Sequence, residues 1–383
     1  MGPLTGLRVV EMAGIGPIPW AGMVLADLGA SVTRVDRIGP QALAGVVGID
    51  PTHRSRRSIA LDLKQDGTAD VVLRLVDNAE ILIEGFRPGV MERLGLGPEV
   101  CLARKPDFVY GRMTGWGQDG PRAHTAGHDL NYLSLTGVLS AIGPKERAVP
   151  PLNLIGDYGG GAMLLLVGVL AAALAVRNGS PGQVVDAAMI DGVPLLATLV
   201  HGLIGSGVWV EERESNLLDG GAPFYRTYAT ADGKEMAVAA LEPQFYAALL
   251  HGLNLAAGDL PAQHDRRLWP ELSRRIGEVF AEKPRTHWVE VFAGTDACVS
   301  PVWTWRESAH DPHLLARGTM IEIDDMVQPA PAPRFSATPL ESPRGISMIG
   351  SDTRAVLAEL GYSEEAIVKL LSSKAAGVPK MEE

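Results

Sequence analysis

Apolar residues in the first half of the chain fall in short β-branched runs, separated by stretches where they recur at helical spacing. The runs Leu7 to Met12, Ser31 to Val35, Ile59 to Leu63, Ile81 to Glu84 and Phe108 to Arg112 read as strands. They return at intervals of roughly 25 residues, with helical stretches such as Trp20 to Leu28 and Thr68 to Asn78 among them, which predicts βαβ units and a mainly parallel sheet covered on both faces. Between Arg37 and Ser58 no helix is legible, so the direction of the third strand stays open. The apolar run Ala162 to Val176 predicts a buried helix and falls short of the roughly 20 residues needed to span a bilayer. A turn at Asn178-Gly179-Ser180-Pro181-Gly182 leads to a further strand, Val184 to Ala188.

The pattern changes near Gly220. Arg226 to Thr230 and Glu235 to Ala239 flank Asp232-Gly233 and read as a hairpin. Helices follow around Gln244 to Leu253, Pro270 to Ala281 and Pro284 to Ala293. The expected organisation is a large domain over 1–188 completed by 329–383, a mostly apolar connection over 189–219, and a small domain over 220–328. A last helix near Thr353 to Leu360 would return the chain to the large domain. The fold class is α/β, with a Rossmann-like large domain and a smaller α+β domain.

With 383 residues the chain is long for one core, which agrees with two domains. A formal net charge of −11 and 5% aromatic residues argue against nucleic acid as a partner. Cys101 and Cys298 form neither a CxxC nor a zinc spacing and read as reduced thiols. No basic-then-apolar leader precedes the first strand, and the chain does not end in an SKL-type address. The expectation is a cytoplasmic protein with no membrane partner.

Three stretches carry candidate chemistry. Gly14-Ile15-Gly16-Pro17-Ile18-Pro19 follows the first strand, with Asp36 about 20 residues on, as in a dinucleotide fingerprint. Pro19 stands where the third glycine belongs and supplies no N–H, so the stretch reads better as a tight β-to-α turn. Arginines recur at Arg37, Arg54, Arg56, Arg57, Arg87 and Arg93. Arg37 and Arg87 lie near C-terminal strand edges, where α/β folds bind ligands, and guanidinium groups suit phosphate. The Arg54 to Arg57 group joins them only if the third strand runs antiparallel. The alternative is a solvated surface.

The third stretch is Gly127-His128-Asp129-Leu130-Asn131-Tyr132, followed by Asp157 before Tyr158 and three glycines. Histidine titrates near neutrality and can take or give a proton. A carboxyl on the other side of the same carbon would complete a two-base exchange. Each has a plainer alternative: a structural histidine, and an aspartate that caps the following helix. His124 with His128 suggests metal ligands only weakly, because the HExxH glutamate is missing. A helix starting near Gly159 would offer N–H donors to a developing enolate, and would lower the Asp157 pKa where burial would raise it. Glu242 could orient His128 or simply start a helix with Pro243 at its first position.

These motifs resemble those of the α-methylacyl-CoA racemases, within the class III CoA-transferase superfamily. The likeness runs from Gly6 to about Phe335 and includes Leu25 to Ala30, Leu61 to Lys64, Glu84 to Leu96, Met113 to Gln118, Gly127 to Tyr132, Pro151 to Gly161, Gly182 to Ala187, Asn216 to Tyr225 and Glu242 to Tyr246. The resemblance implies His128 and Asp157 as the catalytic pair, with Asp129 and Glu242 as supporting acids. It implies Arg37, the segment Leu61, Asp62, Leu63 and Lys64, and Gly127, Leu130, Asn131 and Tyr132 as contacts to a CoA thioester. Arg87 and Arg93 would be further phosphate contacts. It also implies an interlocked homodimer, each site built from the large domain of one subunit and the small domain of the other. No cofactor is implied, CoA being part of the substrate. Trp20 and the segment Gln41 to Asp50 depart from the family pattern and bear on the acyl group accepted. The rival readings are a CoA transferase with Asp157 as nucleophile and a non-catalytic acyl-CoA-binding protein.

Overall fold

Four consecutive buried residues, Val9 to Met12, make the first strand, and the inclusion of Glu11 among them already signals a buried partner for its charge. The computed structural model describes residues 2–39 and 49–379. Most of the departing segment Gln41 to Asp50, and the chain end Lys380 to Glu383, lie outside the described residues. The chain divides into two compact units. The first holds residues 1–136, 152–196 and 318–383; the second holds 137–151 and 197–317. The bounds differ from the sequence reading: 137–151 falls in the second unit, and the helix Met189–Leu196 and residues 318–328 fall in the first.

In the first unit, β1 (Arg8–Met12), β2 (Ser31–Arg37), β3 (Arg57–Leu61), β4 (Ile81–Glu84), β5 (Val109–Thr114) and β6 (Gln183–Ala188) form one sheet. Its order is β3-β2-β1-β4-β5-β6, all parallel, with Ala376–Gly377 antiparallel on the outer edge of β3. The order reverses between β1 and β4, so a crevice opens there at the C-terminal strand ends. Helix α1 (Pro17–Asp27) starts with Pro17 at its first position and covers one face of the sheet. Helix α2 (Thr68–Asp77) covers the other with Val71, Val72, Leu75 and Val76, where the C-terminal helices Thr353–Glu359 and Glu364–Ser372 join it.

Helix α3 (Asp129–Leu135) follows β5. A nine-residue π-helix, Leu154–Ala162, then runs without a break into α4 (Met163–Arg177). The continuous helix of 24 residues exceeds the apolar run read from sequence and is long and apolar enough to cross a membrane by length and composition. Here Leu165, Leu166 and Val169 are buried, and Gly111 on β5 and Gly168 leave the room for that approach. The buried-helix reading holds for one face only, since Val167 and Leu174 are each 60% exposed. Helix α5 (Met189–Leu196) crosses the π-helix where Gly160 meets Gly192, backbone against backbone.

Because β3 is parallel, the Arg54 to Arg57 group does not become a phosphate site. Arg56 is fully buried against Glu11 and the carbonyl of Pro19. Arg54 binds Asp27, Gln328 Oε1 at 2.9 Å and the Pro329 carbonyl at 2.8 Å. Arg57 makes a two-pronged pair with Glu359, at 2.7 and 2.9 Å. Arg54 and Arg56 neutralise carboxylates inside the fold, and Arg57 pairs with one at the surface.

In the second unit the hairpin β7 (Tyr225–Ala229) and β8 (Glu235–Ala239) turns at Asp232-Gly233, and β9 (Val299–Pro301) adds a third antiparallel strand. The sheet packs on α6 (Pro243–Gly252) and the helices Trp269–Phe280 and Arg285–Phe292 around Phe224, Trp269, Phe280 and Trp288.

Candidate active site

The crevice between β1 and β4 opens into a cavity of about 1110 Å³ in the first unit. Its walls come from the turns after β1, β2, β4 and β5, from the π-helix, and from two other stretches, 49–53 and 346–349. Of the residues singled out from sequence, Arg37, Arg87, Gly127, His128, Tyr132 and Asp157 line it. His128 and Asp157 therefore face one space.

His128 is the N-cap of α3, in extended backbone, and its own N–H donates to Asn131 Oδ1 at 3.0 Å. Its imidazole is exposed toward the cavity rather than held in a core. The segment before it is shaped by an aromatic pair. Trp116 and Tyr132 meet edge to face at 4.7 Å, and a Cβ on Gly115 or Gly127 would collide with the Tyr132 ring. Burial and the nearby Asp157 carboxylate push the Tyr132 hydroxyl up to about 12.

Asp157 is not a helix cap. The helix begins earlier, at Leu154, so Asp157 sits within the π-helical turn. A π-turn carries one more residue per closed hydrogen bond and is found mostly at functional sites. Gly156, Gly159, Gly160 and Gly161 make it compact. The Asp157 N–H donates to Asp129 Oδ1 at 2.7 Å, and the Gly156 N–H also donates to that carboxylate. The helix thus begins at Leu154 and not near Gly159 as expected from sequence, and two of its early N–H donors are taken by Asp129. Asp129 is buried and absent from the cavity wall, so it braces the backbone under Asp157 instead of acting as an acid in the pocket.

Burial raises the Asp157 carboxyl above the usual carboxylate range. A hydrogen bond from Asn153 Nδ2 at 3.1 Å opposes this, the Asp129 charge adds to it, and the charge of protonated His128 opposes it. Burial therefore outweighs the favourable contacts. That His128 acts on Asp157 at all marks the two as electrostatic neighbours.

Other predicted contacts lie off the wall. Leu61 is in the hydrophobic core, and Asp62, Leu63 and Lys64 follow it beyond the end of β3. Arg93, Leu130 and Asn131 are exposed elsewhere, and His124 does not line the cavity. Glu242 is the N-cap of α6 in the second unit, with Pro243 at the first helical position.

Several wall residues escaped the sequence reading. Asn153 stands four residues before Asp157, a helical hydrogen-bonding interval that was legible in principle. Tyr158 lines the cavity and stacks on Trp20 at 5.4 Å. The stretch Gly14 to Pro19, set aside as a dinucleotide motif, forms the wall beside the carboxylate: Gly16 has φ 65°, and a Cβ there would lie 2.9 Å from Asp157 Oδ2. Arg34 and His53 line the cavity as well.

Comparison with known proteins identifies the family. The family model for CoA-transferase family III matches residues 4–353. Alpha-methylacyl-CoA racemase of Mus musculus is 45% identical over 97% of this chain and 97% of its own length, and that of Homo sapiens is 44% identical with the same coverage. A CAIB/BAIF family protein from Brucella suis superposes with a TM-score of 0.81 at 24% identity, covering 94% of this chain and 99% of that one. Rv3272 from M. tuberculosis superposes with a TM-score of 0.78 at 26% identity, covering 93% and 99%. With residues 4–353 matched by the family model and relatives at 44–45% identity over nearly its whole length, the chain belongs to CoA-transferase family III.

Proposed function

We propose that the protein is an α-methylacyl-CoA racemase, interconverting (R)- and (S)-2-methylacyl-CoA thioesters by proton exchange at the α-carbon. The thioester carbonyl acidifies the α-proton. From one enantiomer His128 takes that proton, leaving an enolate, and the Asp157 carboxyl returns a proton to the opposite face. For the other enantiomer the roles reverse. Each positioned acid or base is worth about 10²–10⁴ in rate. The reaction written this way needs no metal or redox group, because the thioester itself stabilises the carbanion.

One observation carries the reading: His128 and Asp157 line a single cavity, close enough for the charge of one to act on the ionisation of the other. Burial keeps a proton on Asp157 to higher pH than an ordinary aspartate would hold it, which suits a proton donor. The racemases of mouse and man, at 45% and 44% identity, support the same substrate class. Arg37 and Arg87, on the wall at the C-terminal strand ends, would meet the phosphates of the CoA handle. Arg93 and Leu61 to Lys64 would be reached only by the part of the ligand that extends beyond the cavity. The enzyme would work in the cytoplasm as an interlocked homodimer. Exposed apolar side chains support that assembly, Leu196 on α5 and Leu199 and Ile204 on the helix Thr198–Gly205. In such a dimer Glu242 of the partner subunit would orient His128.

The second reading is a CoA transferase. Relatives named succinyl-CoA:glutarate CoA-transferase are 28% identical in mouse and 26% identical in man, each over 97% of this chain. There the Asp157 carboxylate would attack the thioester carbonyl, forming a mixed anhydride and releasing the CoA thiolate. That route does not use His128 as a second proton carrier. A single-enantiomer 2-methylacyl-CoA incubated in D₂O separates the two. Deuterium at the α-carbon with loss of optical purity is the racemase result. CoA transfer to an added carboxylate without α-exchange would overturn it. Loss of exchange in His128→Ala, with ligand binding retained, would also exclude the purely binding role.

A further inference from the structure

The residues assigned above leave one cation on the cavity wall without a function. Arg34 lies inside β2 and is 1% exposed, among the largest fully buried side chains of the protein. Its Nε donates to Asp36 Oδ2 at 2.8 Å. Its Nη1 and Nη2 have no hydrogen-bond partner among the described residues. A buried guanidinium with four of its five N–H donors unused is costly, because those N–H groups have left water and gained nothing. The same Asp36 Oδ2 also accepts the Ser58 hydroxyl.

Arg34 belongs to a buried network with Glu11, Asp36, Arg56 and Ser58, and three other atoms there, Glu11 Oε1, Asp36 Oδ1 and Arg56 Nε, are also unpartnered. Glu11, Asp36 and Arg56 are absent from the cavity wall, whereas Arg34 is part of it. Of the network's charged residues, Arg34 is the one that borders the cavity. The neighbouring wall reports the same sign of charge. Burial and then the charges of Arg34 and Arg56 push the His53 imidazole down to about 3, so it stays neutral. The acid on this stretch of wall, Asp50, lies 3.9 Å from His53 Nε2, and its Oδ1 is occupied by the N–H and hydroxyl of Thr52.

We propose that Arg34 is a ligand-binding residue whose Nη1 and Nη2 receive an oxyanion of the bound thioester. Resting on the thioester reading of this cavity, the inference adds an interior anion subsite to the two arginines at its strand-end rim. The oxyanion has two chemical sources, a phosphate of the CoA handle or a carboxylate carried by the acyl group. Arg37, three residues on in the same strand and on the same wall, makes the phosphate the expected one.

Calorimetry on the full-length protein tests this with CoA, pantetheine and succinyl-pantetheine, so that phosphates and an acyl carboxylate are present separately. Arg34→Met removes the charge. Arg34→Lys keeps a cation opposite Asp36 while losing the planar fork, and it decides the matter if the Met variant does not fold. Loss of a charge-assisted bidentate contact weakens binding by about 10- to 100-fold. A weakening of that size for CoA alone supports the subsite with phosphate as its source. The same weakening for succinyl-pantetheine alone supports it with the acyl carboxylate. Unchanged dissociation constants for all three ligands in folded variants overturn it, leaving Arg34 satisfied by internal water. Failure of the wild-type protein to bind CoA would instead overturn the thioester reading beneath it.

Discussion

Asp129 joins the two sides of the active site through the backbone. It follows His128 at the first position of α3, and its carboxylate accepts the N–H groups of Gly156 and Asp157 in the π-helix. Replacing it with alanine leaves those two amides without that acceptor. An unsatisfied buried donor costs roughly 1–3 kcal/mol. Part of this is returned, because burial raises the Asp129 carboxyl above the carboxylate range and removal ends that desolvation. Taking the two together, Asp129→Ala should destabilise the fold by about 2 kcal/mol. The catalytic loss should be larger in proportion, since a misplacement of roughly 1 Å at a reacting group can cost about 100-fold.

Asp129→Asn separates bracing from charge. The amide oxygen can still accept the Asp157 N–H, so stability and placement should largely survive. What disappears is the negative charge that raises the Asp157 carboxyl. The Asp157 pKa should then fall, and the rise of activity with pH in the direction where Asp157 is the base should move to lower pH. Urea unfolding and α-proton exchange in D₂O, measured for both enantiomers across pH, read all three effects. An alanine variant with wild-type exchange and unfolding midpoint, or an asparagine variant as impaired as the alanine one, would refute the bracing role.

Asn153→Ala should move the same limb the other way: the Asn153 hydrogen bond holds the Asp157 carboxyl down, so losing it raises the pKa and shifts the onset of exchange to higher pH. Gly16→Ala puts a side chain at φ 65° and 2.9 Å from Asp157 Oδ2; exchange should fall at least about 10-fold while the cost in stability stays near 1 kcal/mol, as stopped assays and thermal unfolding together would show. Arg56→Met should destabilise by about 3–5 kcal/mol because Glu11 is left charged and buried, and adding Glu11→Gln should recover much of the loss in urea unfolding.

The strands of the large domain were legible because a parallel sheet buried on both faces writes continuous apolar runs, and Ile81–Glu84 stands where the pattern put it. The direction of β3 was not, because nothing local to Arg37 through Ser58 records which edge the chain crosses. That one unknown decided the fate of three arginines: in the parallel arrangement Arg54 and Arg56 meet Asp27 and Glu11 from distant segments, pairings that no sequence interval encodes. His128 and Asp157 were visible as residue types beside glycines. The π-turn was not, because glycines before an apolar run are equally the mark of a helix start, and the close approach of Gly160 to Gly192 of α5 is a tertiary contact that no local pattern records. The second unit was legible where a hairpin turn and amphipathic helices are local, as at Asp232-Gly233. The grouping of 137–151 with it depends on contacts from 197–317, including Arg213 with the carbonyls of Pro144 and Lys145.

The discarded dinucleotide motif explains the character of the Asp157 carboxyl. In a dinucleotide fold the glycines after β1 let a pyrophosphate approach the start of a helix, where free N–H groups receive it. Here Gly16 makes the same close approach possible, and the anion that comes near the start of α1 is the protein's own Asp157. The helix that receives it is poor in donors: Pro17 and Pro19 have no N–H, which leaves Ile18 as the one amide donor among its first three positions. A helix end of that composition attracts a carboxylate through its dipole but solvates it weakly. Burial then prevails over the dipole and over Asn153, and the carboxyl is raised. A weakly solvated carboxylate is both more basic and more nucleophilic, so the same turn prepares Asp157 for proton transfer or for attack on a thioester. Which of these follows depends on what else lines the cavity. In the racemase proposal His128, on the same wall at the cap of α3, would be the second proton carrier, and exchange at the α-carbon would be the chemistry the pair completes.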